Sequence, residues 1–181
     1  MTKHDFKDGN GPVPAHKHPN GGGWVADTAT VADTAYVGPD AKVSGDAEVS
    51  GNVLVFGNAW VYDKAKVSGD AKVYGKAWVF GKARISGHGD VYGNAKVYDT
   101  ALVSGNVEVF DDALVFGCAF VFGNAKVYGN ALVSDNARVY GHAKVYGNAR
   151  VSDNALVCGY NEIGGPEKDR IFINGKWYVE E

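Results

Sequence analysis

Long apolar runs are missing from this 181-residue chain, and the start from Met1 to Asn10 is polar and charged. A membrane-spanning helix and a secretory leader are therefore not expected, which makes the cytoplasm the expected location and leaves no membrane partner. An excess of either charge is missing too. With 18 Lys and Arg against 21 Asp and Glu, net −3, a nucleic-acid partner is not expected either, because such binding draws on phosphate neutralisation. Cysteine is scarce: Cys118 and Cys158 occupy different places in the repeat described below. A disulfide needs a short Cα separation and matched side-chain vectors, so two free thiols, buried or half-exposed, are expected instead.

Glycine is abundant, with 25 residues, and together with the many alanines and valines it signals short strands joined by tight turns rather than helices. From Gly21 a six-residue phrase recurs without interruption to Gly164, typified by Gly129-Asn130-Ala131-Leu132-Val133-Ser134. Its fifth position is Val or Ile in all 24 copies and its third is Ala in 19, the exceptions being Gly23, Val53, Gly89, Val107 and Asn161. The first position is Gly in 16 copies, Asp in seven and Pro once.

Period-2 alternation within the phrase sends the third and fifth residues to one side and the fourth and sixth to the other. The first position then makes a corner, where Gly tolerates φ > 0. In/out order never inverts and no phrase lengthens into a loop, so a hairpin array is excluded. The solution is an all-β coil of parallel strands, with each phrase stacked on its equivalent one turn on. Three phrases close a triangular prism of 18 residues per turn, giving about eight coils and a height of roughly 38 Å at the usual strand spacing.

Residues 1–20 break the pattern and read as an N-terminal lead-in or cap. They hold three of the five histidines and three of the five prolines. His16-Lys17-His18 is a hint of metal ligation, but no cysteine or carboxylate cluster stands nearby at ligand spacing. No metal and no cofactor is expected. Residues 165–181 contain Asn174-Gly175 between two apolar tetrads, a hairpin signal. A C-terminal β-hairpin cap folding over Val157 and Ile163 is expected there, blocking end-to-end polymerisation.

Phrases such as Val91-Tyr92-Gly93-Asn94-Ala95-Lys96 resemble the hexapeptide-repeat, left-handed parallel β-helix superfamily, which includes acyltransferases and non-catalytic members. The likeness is greatest to bacterial and bacteriophage proteins built of Gly-Asn-Ala-Lys-Val-Tyr phrases, often labelled transferases. The resemblance covers about four-fifths of the chain. It implies the left hand of the coil, since parallel crossovers are otherwise right-handed, and it implies a trimer.

With the period known, every third phrase lies on the same wall. On the first wall Trp60, Tyr62, Trp78, Phe80, Tyr98, Leu114 and Phe116 form one apolar patch, expected to be an oligomer interface. The second wall pairs Glu48, Lys66, Arg84 and Leu102 with the column Ser50, Ser68, Ser86 and Ser104, and turns apolar at Phe120, Phe122 and Tyr140. Lys64, Lys66, Lys82 and Arg84 make a basic cluster that Asp46 and Glu48 are expected to neutralise. The third wall carries the ring column Phe56, Tyr74, Tyr92, Phe110, Tyr128 and Tyr146, expected to stabilise the ladder by stacking, with a partner-binding strip as the alternative.

The resemblance implies, for the acyltransferases, a histidine base at a subunit interface, an acyl-CoA or acyl-carrier arm, and a loop extruded from one corner. This chain has no such insertion. Its repeat-region histidines, His88 and His142, sit at corners three coils apart, with Asp90 and Lys144 as their nearest candidate partners. A general base must be oriented within reach of its proton, so these two are weak catalytic candidates. The leading reading is a non-catalytic rigid scaffold or binding module that self-associates through its aromatic face, bacterial or phage-encoded. The alternatives are an acyl-CoA-dependent acyltransferase with sites between subunits, and a phage accessory protein that captures a host factor or small ligand.

Overall fold

Each Val or Ile at the fifth position, with the residue before it, forms a strand of two to four residues, and the next Gly or Asp turns the chain. A computed structural model of the chain describes residues 2–164, 170–173 and 176–179. Strands three phrases apart pair in parallel, as in Trp60↔Trp78 and Val61↔Val79. The result is a parallel β-solenoid with three sheets, and no helix occurs among the described residues. Its turns are the expected 18 residues, since Trp60 N–H donates to Ala77 O at 3.0 Å and Tyr62 N–H to Val79 O at 3.0 Å. This coil is consistent with the left hand that the resemblance implies.

The interior is one column of valines and alanines, almost all of them 0–2% exposed, from Val25 to Ile163. β-Branched side chains suit such a wall because a single rotamer packs against the coil above and below. Departures compensate locally. A Cβ on Gly89 would lie 3.2 Å from Ile85 Cγ2, so the glycine leaves room for the larger side chain of Ile85 in the valine column.

The corners explain the choice between Gly and Asp. At Gly105, φ is +88° and an added Cβ would meet Gly123 O at 2.7 Å, so a bulky side chain fits neither the dihedral nor the space. Asp63, Asp99, Asp111, Asp135 and Asp153 also take φ of 56° to 58°. Four of these carboxylates accept an amide N–H one coil on, from Gly81, Gly117, Gly129 and Asp153, at 3.1–3.3 Å. A short polar side chain that bonds locally is the one non-glycine type that tolerates this region well.

The first sheet is longer than the other two, with 12 strands against eight. At its lower end β1 (Lys3–His4) pairs antiparallel with β2 (Val13–Lys17), and β2 pairs antiparallel with β3 (Trp24–Ala26). At its upper end Arg170–Ile173 adds in parallel to Arg150–Val151, and Lys176–Val179 pairs antiparallel with it. The Asn174-Gly175 turn and residues 165–169 lie outside the described residues, as does the expected packing of the hairpin side chains over Val157 and Ile163. Additional strands at a sheet's end cover its free hydrogen-bonding edge.

Candidate functional site

Among the described residues the interior column holds only aliphatic side chains, so the candidate sites are the walls and corners of the solenoid. On the first wall, Tyr62, Phe80, Tyr98 and Phe116 stack ring on ring at 4.9 Å, the planes within 6° of parallel. This is strand spacing transferred to side chains. Burial, aided by the neighbouring Asp63, pushes the Tyr62 hydroxyl up to about 12. Leu114 is half-buried and pairs with Leu132. Trp78 is exposed, at 36%, with the Lys96 ammonium 4.8 Å from its ring.

Trp60 joins this patch, 4.4 Å from Tyr62 and edge-on to Trp78 at 5.9 Å, and has a second set of contacts. Its Nε1–H donates to Ser44 Oγ at 2.9 Å, and its ring packs against a small cluster of Phe6, Ala15 and Ala26. Phe6 is 1% exposed, and its carbonyl accepts a bond from Lys42 Nζ at 3.2 Å. The N-terminal segment thus folds back over the lower first wall, and Trp60 serves that contact. The patch from Trp60 to Phe116 is contiguous in its rings, and at this end the N-terminal segment packs beside the half-buried Trp60. Residues 1–20 carry no repeat, so nothing in their spacing announced where they lie.

The N-terminal histidines have separate neighbours. His16 Nδ1 lies 2.8 Å from Asp27 Oδ1. His18 is buried, with Nδ1 3.1 Å from Asn20 O. His4 stacks on Trp24 at 4.3 Å, and burial together with Lys42 and Lys17 lowers its pKa. Among the described residues no three His, Cys, Asp or Glu side chains converge as metal ligands would.

On the third wall all six rings, Phe56, Tyr74, Tyr92, Phe110, Tyr128 and Tyr146, form one stack with steps of 4.8–5.2 Å. All six are half-buried. Their neighbours close the strip with ion pairs: Lys126 to Glu108 at 2.6 Å, Lys144 to Glu162 at 2.6 Å and Lys72 to Asp90 at 3.6 Å. Tyr92 Oη donates to Glu108 Oε2 at 3.3 Å, and burial with that carboxylate raises its pKa. Burial also raises Asp90, against the opposing pull of Lys72.

The second wall is the least covered. Of the five large apolar side chains exposed among the described residues, Phe120, Phe122 and Leu156 are on it, and Tyr160 is at its corner with the third wall. Phe122 stacks on Tyr140 at 4.8 Å. Below them the serine column borders a hollow of about 290 Å³ lined by Glu48, Ser50, Lys66, Ser68, Arg84, Ser86 and Leu102. Lys66 is neutralised by Glu48 at 2.7 Å, as expected, while Arg84, Lys64 and Lys82 make no ion pair among the described residues. The sequence signal for this wall was the switch from Ser to Phe and Tyr along one column. Its exposure required the fold.

The corner histidines have partners other than those expected. His88 Nδ1 faces Asp70 Oδ2 at 3.8 Å, because the residue one coil back is closer than the next one along the chain. His142 stacks flat on Tyr160 at 4.8 Å, and Lys144 is held by Glu162. The two histidines are not brought together. Cys118 and Cys158 are free, but Cys118 is exposed rather than buried or half-exposed; it lies 3.2 Å from Thr100 Oγ1 in a corner column.

No helix among the described residues is long and apolar enough to cross a membrane. The family described as the YdcK beta solenoid repeat matches residues 47–63, 125–141 and 143–159. No curated protein matches the chain. Each matched stretch covers nearly one 18-residue turn, and with the coil geometry these matches make the chain a β-solenoid repeat protein.

Proposed function

We propose that the protein is a non-catalytic, rigid scaffold of bacterial or phage origin, working in the cytoplasm, that assembles with copies of itself through its aromatic first wall. The observation that carries this reading is Trp78, 36% exposed beside the Tyr62–Phe80–Tyr98–Phe116 stack. Tryptophan and tyrosine are enriched in the buried centres of interfaces, and a rigid ring stack loses little conformational freedom on docking. A trimer is the order that the hexapeptide resemblance implies.

Trp78→Glu combined with Phe80→Glu tests this. Trp60 is left intact because it holds the N-terminal segment. Light scattering should show a fall in mass, and an unchanged mass would remove the first-wall reading. The acyltransferase alternative makes the opposite demand on calorimetry: saturable binding of acetyl-CoA would replace the scaffold reading, and no heat is expected.

A further inference from the structure

The second wall is built in two halves that complement each other. Its outer column runs Ser68, Ser86, Ser104, Phe122, Tyr140 on successive coils, the register given by the pairs Ser86↔Ser104 and Ser104↔Phe122. Below Ser104 there is the hollow of about 290 Å³; above it two rings are stacked, with Phe122 36% exposed. The three middle strands, Arg84–Gly87, Leu102–Gly105 and Phe120–Gly123, are four residues long, whereas the other strands of this sheet have two. The most regular part of the wall is therefore centred on the strand carrying Ser104.

We propose that a second copy of this chain docks on the second wall, antiparallel, about a two-fold axis along Leu102–Gly105. Such an axis keeps each column facing its own kind and reverses the order of coils, so contacts are isologous. Phe122 enters the partner's hollow at Ser86, and Tyr140 enters it at Ser68. Arg84 comes level with Phe120, whose ring face Arg138 of the same chain covers at 5.8 Å, so the Arg84 stem packs on the ring's outer edge. Leu102 and Ser104 each meet their own copies at the axis.

Charge along the adjoining corner has the matching sense. Lys64, with no ion pair among the described residues, comes opposite the coil of Asp135. Arg138 comes opposite Lys66, whose charge Glu48 already neutralises at 2.7 Å. A parallel dimer would set hollow against hollow and Arg84 beside Arg84, leaving voids and facing like charges. The contact face is one strand wide and roughly 30 Å long by strand spacing, at the small end of specific interfaces. The dimer is therefore concentration-dependent. This docking is independent of the first-wall reading.

Sedimentation of the full chain over a concentration series should show growth toward twice the 19.2 kDa chain mass, starting from the Trp78→Glu/Phe80→Glu background to silence the first wall. Adding Phe122→Glu, or Ser86→Trp to fill the hollow, should abolish that growth while circular dichroism keeps its β signature. Facing sheets stand about 10 Å apart, beyond disulfide reach, so register is read with a short bis-maleimide in a Cys118→Ser/Cys158→Ser background. Ser104→Cys should cross-link to itself. Phe122→Cys should cross-link to Ser86→Cys in a mixture and not to itself. Self-linking of Phe122→Cys as efficient as that of Ser104→Cys would overturn the antiparallel register. Absence of every cross-link, or dimer growth that survives both Phe122→Glu and Ser86→Trp, would overturn docking on this wall.

Discussion

The carboxylate of Asp99 accepts the amide N–H of Gly117, its equivalent one coil on, at 3.1 Å, while Asp99 itself sits at φ 57°. A residue in a disfavoured backbone region is thus tied to the next turn of the solenoid. Asp99→Ala keeps the φ and loses the bond, so it should destabilise by about 1 to 2 kcal/mol. Asp99→Gly loses the same bond but relieves the dihedral, and should fall close to wild type. Thermal unfolding of the two variants side by side checks the order Gly above Ala.

The third-wall stack makes position along the column matter. Phe110 stacks on Tyr92 and Tyr128, each at 4.9 Å, while Tyr146, at the end, stacks on a single ring among the described residues, Tyr128. Phe110→Ala should cost about 1 to 3 kcal/mol through its two lost ring contacts, and Tyr146→Ala about half as much. Equal losses in urea unfolding would count against ring stacking as the role of this column.

Alkaline pH should weaken the fold through the tyrosines. Burial holds the Tyr62 hydroxyl protonated up to about 12, against an ordinary value of 10.0, and raises Tyr74, Tyr92, Tyr98 and Tyr128 as well. The folded state then keeps protons that the unfolded chain releases above pH 10. Stability from this source is complete below pH 10 and is lost as pH rises toward 12. Melting temperatures taken from pH 8 to 12 should fall only in the upper part of the range, and Tyr62→Phe should flatten that fall.

Phe6 anchors the N-terminal segment, being 1% exposed beside Ala15, Ala26 and the two tryptophans Trp24 and Trp60. Phe6→Ala should weaken that docking by about 3 kcal/mol, within the usual range for a buried Phe→Ala change. Because the segment is a satellite of the valine column, the solenoid should stay intact. The expected signature is a red shift of tryptophan emission with faster proteolysis before residue 20, at unchanged far-ultraviolet dichroism.

What could be read from residues alone was everything that repeats. Valine or isoleucine at each fifth position, with corners at each first, dictates a coil whose third and fifth residues point in, because side chains alternate along an extended strand. The ring columns of the first and third walls follow from the same arithmetic. Tertiary structure alone decided which wall stays open. Phe6 and Trp60 meet because a segment without any period folds back on β3, and His88 faces Asp70 rather than Asp90 because the nearest neighbour lies one coil away. Contacts between coils join residues some 18 positions apart, and where the repeat lapses no local pattern encodes which of them will meet.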